Sequence, residues 1–241
     1  MKNLASSRLR TVTLYCTLLV TAMASGPANT ATKQESPERE YDFRGAVLGM
    51  PLAQFREMPF PDLSAEPKTK LFCSSDEETK NIENGLFFFL DSAKEAAGVV
   101  ECRYYTPEYV GSGWQDAYLS IGTRGASKNV TYDFVPDPQD KIARLYSIVV
   151  SAYAIGASSA MDGLRGKFGT PTSVRIGTVQ NRMGATFDHT SAVWANHLSM
   201  ILFDNPSGDV DTMVIVYTEV RLSGYVEQTE KKIEGPSSSK M

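Results

Sequence analysis

The run Asn129-Val-Thr-Tyr-Asp-Phe-Val135 indicates the fold class. In it, the apolar side chains Val130, Tyr132 and Phe134 alternate with polar ones, so that they share one face of an extended chain. A period of two predicts a half-buried strand of an antiparallel sheet.

Similar runs on both sides of this stretch predict further strands. They cover residues 71–74, 86–90, 99–105, 114–121, 145–153, 184–187, 191–194, 198–203 and 213–222. The run 86–90, Leu-Phe-Phe-Phe-Leu, lacks alternation and predicts a central strand that is covered on both faces. In the last run, Val214, Val216, Val220 and Leu222 share one face.

Two segments have a helical pattern instead. Pro51 suits the first position of a helix, and Pro59 ends it after about two turns. Residues 157–168 place Met161 and Leu164 on one face and are followed by the stop signals Gly169 and Pro171. The pattern predicts an α+β fold with a mostly antiparallel sheet and two short helices.

The domain prediction follows from composition. Residues 41–226 form one α+β domain, between a flexible lead-in at 25–40 and a disordered tail at 227–241 that is rich in small and polar residues. Each predicted helix follows a strand and precedes several strands, which suggests a duplicated strand-helix-strands unit with a seam near 137–141. One continuous sheet is the simpler alternative.

The first 24 residues predict export. Basic residues Lys2, Arg8 and Arg10 precede an uncharged apolar stretch at 11–23, and Ala22-Met-Ala24 fits a signal-peptide cleavage site. A membrane anchor is the alternative, but the stretch is shorter than the ~20 residues that cross a bilayer. Cleavage after Ala24 leaves no segment for stable membrane insertion.

Charge restricts the partners. Cleavage would change the net charge from −4 to −7, because it removes three basic residues. An acidic chain without a basic run is a poor nucleic-acid binder, since that affinity depends on neutralising phosphates.

The mature chain keeps two cysteines, Cys73 and Cys102, in two predicted strands. In an oxidising compartment such thiols usually pair, and the closed loop predicts a stabilisation of about 3–4 kcal/mol. The alternatives are two buried free thiols or a redox pair, although Cys-x-x-Cys spacing is absent. Two cysteines alone make no zinc site.

Catalytic and cofactor motifs are weak in this sequence. The two histidines, His189 and His197, lack zinc-site spacing, and Asp188 beside His189 points to the other face of a strand. The sequence has no Gly-x-Ser-x-Gly nucleophile elbow and no nucleotide fingerprint. The run 76–78 is acidic but is more typical of a solvated loop than of a calcium site. We therefore predict no cofactor, no metal and no catalytic residue.

Five aromatic residues cluster around one predicted hairpin: Tyr104, Tyr105, Tyr109, Trp114 and Tyr118. Aromatic side chains anchor protein partners and sugar rings, so these five are candidate binding residues. Ordinary strand packing is the alternative, because aromatics are common in strands.

Three stretches, Phe43-Arg-Gly-Ala-Val-Leu-Gly-Met50, Leu164-Arg-Gly-Lys-Phe-Gly-Thr-Pro171 and Trp194-Ala-Asn196, carry a resemblance. They resemble uncharacterised exported proteins of Gram-negative bacteria with a Gly-Met turn into a short helix. More distantly, the chain is similar to the small lipoproteins of the outer-membrane assembly machinery. The resemblance implies a periplasmic location and supplies no catalytic residue.

The sequence therefore predicts a periplasmic or secreted binding protein without catalytic activity. It would bind an envelope protein or cell-wall component through its sheet or through the aromatic hairpin. Two alternatives stay open: an envelope hydrolase using Asp188, His189 or His197, and an inhibitor of a secreted enzyme, for which a disulfide-closed loop is preorganised.

Overall fold

A computed structural model describes residues 39–62, 68–81, 86–111, 113–122 and 125–234. All of them belong to one compact unit. The predicted signal peptide, almost all of the lead-in and the last seven residues of the chain lie outside the described residues.

The secondary structure is α+β, as predicted. The strands are Asp42–Phe43 (β1), Ala46–Val47 (β2), Lys70–Cys73 (β3), Val100–Pro107 (β4), Trp114–Asp116 (β5), Ser120–Ile121 (β6), Gly125–Pro136 (β7), Ala143–Tyr153 (β8), Ser173–Gln180 (β9), Thr186–Ala195 (β10), Ser199–Asn205 (β11) and Thr212–Glu219 (β12). The helices are Leu52–Arg56 (α1), Ser92–Ala96 (α2), Ala157–Phe168 (α3) and Val220–Glu234 (α4), with short 3-10 turns at Glu77–Asn81 and Ala154–Gly156.

One antiparallel sheet organises the molecule. Its strand order is β3-β4-β7-β8-β12-β11-β10-β9, with β5 beside β4 and β6 beside β7. The predicted seam at 137–141 falls in the turn between β7 and β8, which pair with each other, so the sheet continues across it. A duplication of the two halves stays a prediction.

Strand β7 contains the alternation that indicated the fold. Val130, Tyr132 and Phe134 are buried in the main core, as the pattern predicts. Thr131 and Asp133 are also buried, so the strand is covered on both faces at this point. The prediction of a half-buried strand is wrong here because elements outside the sheet cover the polar side as well.

Helices α1 and α3 lie where the sequence predicts them. Phe55 of α1 is buried against Tyr132 and Phe134. At the end of α3, the indole N–H of Trp194 donates to the carbonyl of Gly169 at 2.8 Å and ties the helix to β10. These contacts place both helices on the same face of the sheet, which we call the core face.

The chain end differs from the sequence prediction. Strand β12 ends at Glu219, and helix α4 runs from Val220 to Glu234. The prediction of a strand to Leu222 is therefore wrong, and so is that of a loose tail for residues 227–234, whereas residues 235–241 of the predicted tail lie outside the described residues. The alternation that suggested a strand conceals a helical spacing. Leu222 is fully buried, with Tyr225 and Val226 packed against the same cluster, at the i, i+3, i+4 spacing of a helix face.

A bidentate ion pair fixes the start of α4. The Arg221 guanidinium donates to both carboxylate oxygens of Asp137 at 2.9 and 2.7 Å. Asp137 lies in the turn after β7, and its side chain is only 4% exposed. Hydrogen bonds from Arg221 lower the pKa of Asp137 to about 2.

Replacing Arg221 by alanine is expected to lower the free energy of unfolding at pH 7 by about 1–2 kcal/mol, because Asp137 loses two charge-assisted hydrogen bonds. The pKa of Asp137 is lower in the folded chain than in the unfolded one, so this stabilisation exists above pH 4 and disappears as the pH falls toward 2. Urea unfolding at pH 7 and pH 2.5 measures both effects.

Arg165→Ala is the matched control for this prediction. Arg165 also lies on a helix, but its contact with Asp162 is a loose 3.9 Å and its side chain is half exposed. We expect Arg165→Ala to leave stability within about 0.5 kcal/mol. Equal losses in the two variants at pH 7 would contradict a structural role for the pair.

The disulfide is present. Cys73 of β3 and Cys102 of β4 are bonded, lie directly opposite each other and are fully buried in the main core. The pairing predicted from the sequence is confirmed, and the bond closes the segment that carries the first 3-10 turn and α2.

The acidic run 76–78 takes part in ion pairs. Asp76 accepts from Arg56, and Glu78 accepts from Lys70 at 2.7 Å. No helix among the described residues is long and apolar enough to cross a membrane.

Strand β9 has no counterpart in the sequence prediction. Residues 173–180, Ser-Val-Arg-Ile-Gly-Thr-Val-Gln, form a full strand beside β10. Seven of the eight residues are exposed. The strand lies at the edge of the sheet, so it lacks the one-sided burial that makes a strand recognisable in a sequence.

Candidate functional site

The two faces of the sheet differ over strands β8 to β12. On the core face, one row of directly opposite residues crosses the sheet and is buried. Its members are Trp194, Ile201, Tyr217, Ile148 and Tyr132. Their neighbours in sequence point to the other face, because side chains alternate along a strand.

On that other face, four aliphatic side chains form a second continuous row. Val193 of β10 lies opposite Leu202 of β11, Leu202 opposite Val216 of β12, and Val216 opposite Val149 of β8. All four are only partly buried. The exposed face of an antiparallel sheet is normally polar. We call these four residues the aliphatic row.

The border of the aliphatic row is mixed and almost free of charge. On one side, Ser191, Val214 and Ser151 lie in the next register row, and on the other side Thr218 lies beside the exposed Met200. Asp204 also lies in this border; it is charged and forms an ion pair. The surface has an apolar centre and a border of small, polar and apolar residues with little charge, and depletion of charge is typical of the core of a protein interface.

Asp204 binds the histidine that the sequence singled out. Its Oδ1 lies 2.9 Å from Nε2 of His189, and both side chains are about one quarter exposed. Asp188 pairs with Thr178 in the strand register and lies on the opposite face. The carboxylate beside His189 is therefore Asp204, which lies on the neighbouring strand and could not be identified by adjacency in the sequence.

The two histidines do not meet. His189 lies in the first half of β10, and His197 lies in the turn after the strand ends. The strand from His189 to its end at Ala195 alone extends about 20 Å, at about 3.3 Å per residue. Within the described ranges, no three His, Cys, Asp or Glu side chains are grouped closely enough to hold a metal ion.

The five aromatic candidates do not form one surface. Tyr104 and Tyr105 are buried, at 8% and 1% exposure, and Trp114 is partly buried. The prediction that Tyr104 and Tyr105 contact a partner is wrong, because Tyr104 packs against Phe55 and Tyr105 packs against Phe72.

Tyr109 and Tyr118 remain as surface aromatics. Tyr109 is 98% exposed and Tyr118 is 57% exposed. Both line a cavity of about 540 Å³, together with Thr106, Glu108 and Gln115. This cavity is the part of the aromatic hairpin that is accessible to a ligand.

A strap of extended chain, residues 86–91, crosses the sheet face opposite the core face. It contains the run predicted as a buried central strand, and that prediction is wrong: the run is not a strand, and Phe87 and Phe89 are 63% and 66% exposed. The sequence could not show this, since an apolar run without alternation has the same pattern whether it is covered or not.

Side chains of the sheet hold the strap through its backbone. The hydroxyl of Tyr105 accepts from the Phe87 N–H at 3.2 Å and donates to the Phe87 carbonyl at 2.9 Å. The Phe89 N–H donates to Glu101 Oε2 at 2.8 Å. The Phe89 ring lies 4.8 Å from the Arg103 guanidinium.

A buried charge cluster lies in this part of the same face. Glu101 is fully buried and pairs with Arg103 at 2.7 Å, and Asp133 lies directly opposite Glu101 in the register. Asp133 accepts from Lys94 of α2 at 2.6 Å, and its other oxygen is buried without a hydrogen-bond partner. Burial raises the pKa of Asp133 to about 6, although Lys94 acts in the opposite direction.

No family model, curated protein or solved structure matches this chain. The resemblance to exported proteins of Gram-negative bacteria stays a prediction. The assignment of a function therefore depends on the geometry of the chain itself.

The aliphatic row is a continuous surface with the chemistry of a binding site. It spans four adjacent strands, which at about 4.8 Å between strands covers roughly 14 Å. The buried charge cluster is closed to ligands, because Glu101 and Asp133 have almost no exposed surface.

Proposed function

We propose that this chain is an exported, non-catalytic protein that binds a partner protein of the cell envelope on the sheet face that carries the aliphatic row. The observation that supports the proposal is the row itself, four adjacent aliphatic side chains left partly exposed on a sheet face of the kind that is normally polar. The signal-peptide pattern supports export, and the disulfide is compatible with an oxidising compartment.

The composition of this face favours a protein over a charged ligand. The cores of protein interfaces are depleted of charge, and the row and most of its border are uncharged. The charge of Asp204 is paired with His189. If the partner is a secreted enzyme, the same contact makes this chain its inhibitor.

The cavity beside Tyr109 and Tyr118 supports a second, smaller contact. Its volume of about 540 Å³ suits a small molecule rather than a protein surface, and two tyrosines offer faces for a sugar ring. A cell-wall glycan is the ligand that this chemistry fits.

The hydrolase alternative has less support. It required His189 and His197 to converge with a carboxylate in a concave pocket, and His189 meets Asp204 on the open sheet face while His197 lies beyond the end of the strand. We therefore propose binding and not hydrolysis.

Val216→Lys tests the proposal. The lysine stem lies along the apolar surface while its ammonium reaches water, so the fold is expected to tolerate it. A charge at the centre of a protein interface is expected to weaken binding by at least about 30-fold, or about 2 kcal/mol. The measurement is capture of envelope proteins on the immobilised mature chain, followed by titration of the captured protein.

Ile155→Lys is the matched control. Ile155 is 78% exposed and lies in the 3-10 turn after β8, outside the aliphatic row. Capture that is lost in Val216→Lys and kept in Ile155→Lys supports the proposal. Equal capture by both variants excludes the aliphatic row as the binding site.

A further inference from the structure

Strand β9 forms one end of the sheet. It pairs with β10 over eight consecutive residues without a register shift, whereas the β7–β8 pair contains two irregularities. Within the residues that the structure describes, β10 is its only strand partner. Every second residue of an antiparallel strand directs its N–H and C=O away from a given neighbour, so the outer edge of β9 presents a row of backbone donors and acceptors.

This edge lacks the features that usually protect an edge strand. Residues 173–180 contain no proline and one charged residue, Arg175. Ile176 is 82% exposed and Val174 is 43% exposed. Natural proteins place charges, prolines, bulges or covering elements at such edges, because an exposed flat edge pairs with other chains.

We propose that β9 pairs antiparallel with β9 of a second copy of this chain, so that two sheets join into one across a two-fold axis. The proposal goes beyond the binding function, since it concerns the edge of the sheet and not the aliphatic row. The choice of a second copy follows from the self-complementarity of this segment.

The geometry of antiparallel pairing restricts the register. Along β9, the residues that direct their N–H and C=O outward alternate with those that direct them toward β10. In an antiparallel pair, an outward-directed residue lies opposite another outward-directed residue. When both strands are β9, two opposite residues therefore have numbers that are both even or both odd. The two-fold axis must therefore pass through a residue, and the central candidates are Arg175, Ile176 and Gly177.

Charge and packing select Ile176. An axis at Arg175 places two like charges directly opposite each other, which is destabilising. An axis at Gly177 puts two residues without side chains at the centre. An axis at Ile176 places Ile176 opposite its own copy, Val174 opposite Thr178, and Arg175 opposite Gly177. β-branched residues then face each other across the pair, and each arginine lies opposite a residue without a side chain.

The expected dimer is weak. Pairing two eight-residue strands buries less surface than the ~1,200 Å² of a stable interface, so the association depends on concentration. The new backbone hydrogen bonds and the burial of Ile176 are its main stabilising contributions.

Sedimentation velocity on the mature chain from about 2 to about 200 µM tests the proposal, over a range suited to weak interfaces. The wild type is expected to shift from monomer to dimer, and Ile176→Lys to weaken dimerisation at least tenfold because it places two ammonium groups opposite each other. Ile155→Lys, at an equally exposed isoleucine, is expected to dimerise like the wild type. The exposure of Ile176 means that the variant keeps the wild-type melting temperature.

Ile176→Cys provides an independent readout. Mild oxidation is expected to link two copies of this variant through the introduced thiols, whereas Ile155→Cys stays unlinked. A wild type that remains monomeric over the whole range overturns the proposal, and so does a dimer that Ile176→Lys leaves intact. Binding of a different protein along β9 by a monomeric wild type also overturns it, because the occupant is then not a second copy.

Discussion

Breaking the Cys73–Cys102 disulfide is expected to lower the free energy of unfolding by about 3–4 kcal/mol. The two cysteines are separated by 29 residues in the sequence, and the bond restricts the unfolded chain by closing that loop. For a domain of this size, the loss corresponds to a melting temperature lower by roughly 10 °C. The change is large relative to the ~5–15 kcal/mol of a typical domain.

The double variant Cys73→Ala, Cys102→Ala is compared with the wild type in urea, each with and without a reducing agent. The reductant should destabilise the wild type to the level of the double variant and leave the double variant unchanged. A reductant effect of equal size in both proteins would mean that it acts elsewhere. Both cysteines are fully buried, so the reductant must be added to the unfolded chain before refolding.

Asp133 is expected to give the protein an unusual dependence of stability on pH. Its pKa is raised to about 6 by burial, above the ordinary value for an aspartate. Between about pH 4 and pH 6 the folded state holds a proton that the unfolded state releases, so this group stabilises the fold at low pH. As the pH rises through 6, a contribution of about 3 kcal/mol is lost, from roughly two pKa units at 1.36 kcal/mol each.

Asp133→Asn is expected to remove this dependence of the free energy of unfolding on pH, because asparagine does not ionise. Urea unfolding measures the free energy of unfolding of both proteins at pH 4.5 and at pH 7.5. The difference in this free energy between wild type and variant should change by about 2–3 kcal/mol from one pH to the other. Asp162→Asn is the control, since Asp162 is 72% exposed and its removal should leave the slope unchanged. Parallel pH profiles for wild type and Asp133→Asn would falsify the assignment.

The surroundings of Asp133 define what this measurement reports. Lys94 donates to it, Glu101 faces it across the strand pair, and Arg103 and Tyr146 complete the cluster. The pKa of Tyr146 is itself raised by burial and by these carboxylates. A change in the pH dependence of stability that Asp133 causes therefore also reports on the packing of α2 against the sheet.

The parts of the fold that were predictable from sequence are those with one clearly apolar face in the sequence pattern. Strand β7 and helix α3 both have such a face, and both lie where the pattern places them, although the polar face of β7 is covered as well. The disulfide was predictable because each cysteine lies in a strand-like run and the spacing excluded a redox motif. In these cases the apolar positions of the local pattern are the ones that the core buries.

The spacing of apolar residues did not predict the secondary structure correctly where it does not match the burial of those residues in the fold. Residues 220–222 alternate like a strand, and only the spacing of Leu222, Tyr225 and Val226 distinguishes the helix. Strand β9 is exposed on both faces, so it has no burial pattern to detect.

The aliphatic row could not be identified from the sequence alone. Its members come from four strands, and each one looks like an ordinary strand residue within its own segment. Register and exposure, which are tertiary properties, turn them into one surface. The partner of His189 was missed for the same reason, because Asp204 lies on a neighbouring strand.

The pairing of β8 with β12 also has a consequence for the timing of folding. Strand β8 lies in the middle of the sheet, yet one of its neighbours is β12, the last strand among the described residues. Helix α4 then packs near the turn beside β8 through Arg221. A chain synthesised from its N-terminus therefore cannot complete the centre of its sheet until nearly all of it has emerged. Such non-local pairing slows folding and keeps the chain loosely structured for longer, which is the state that the export proposed above would require.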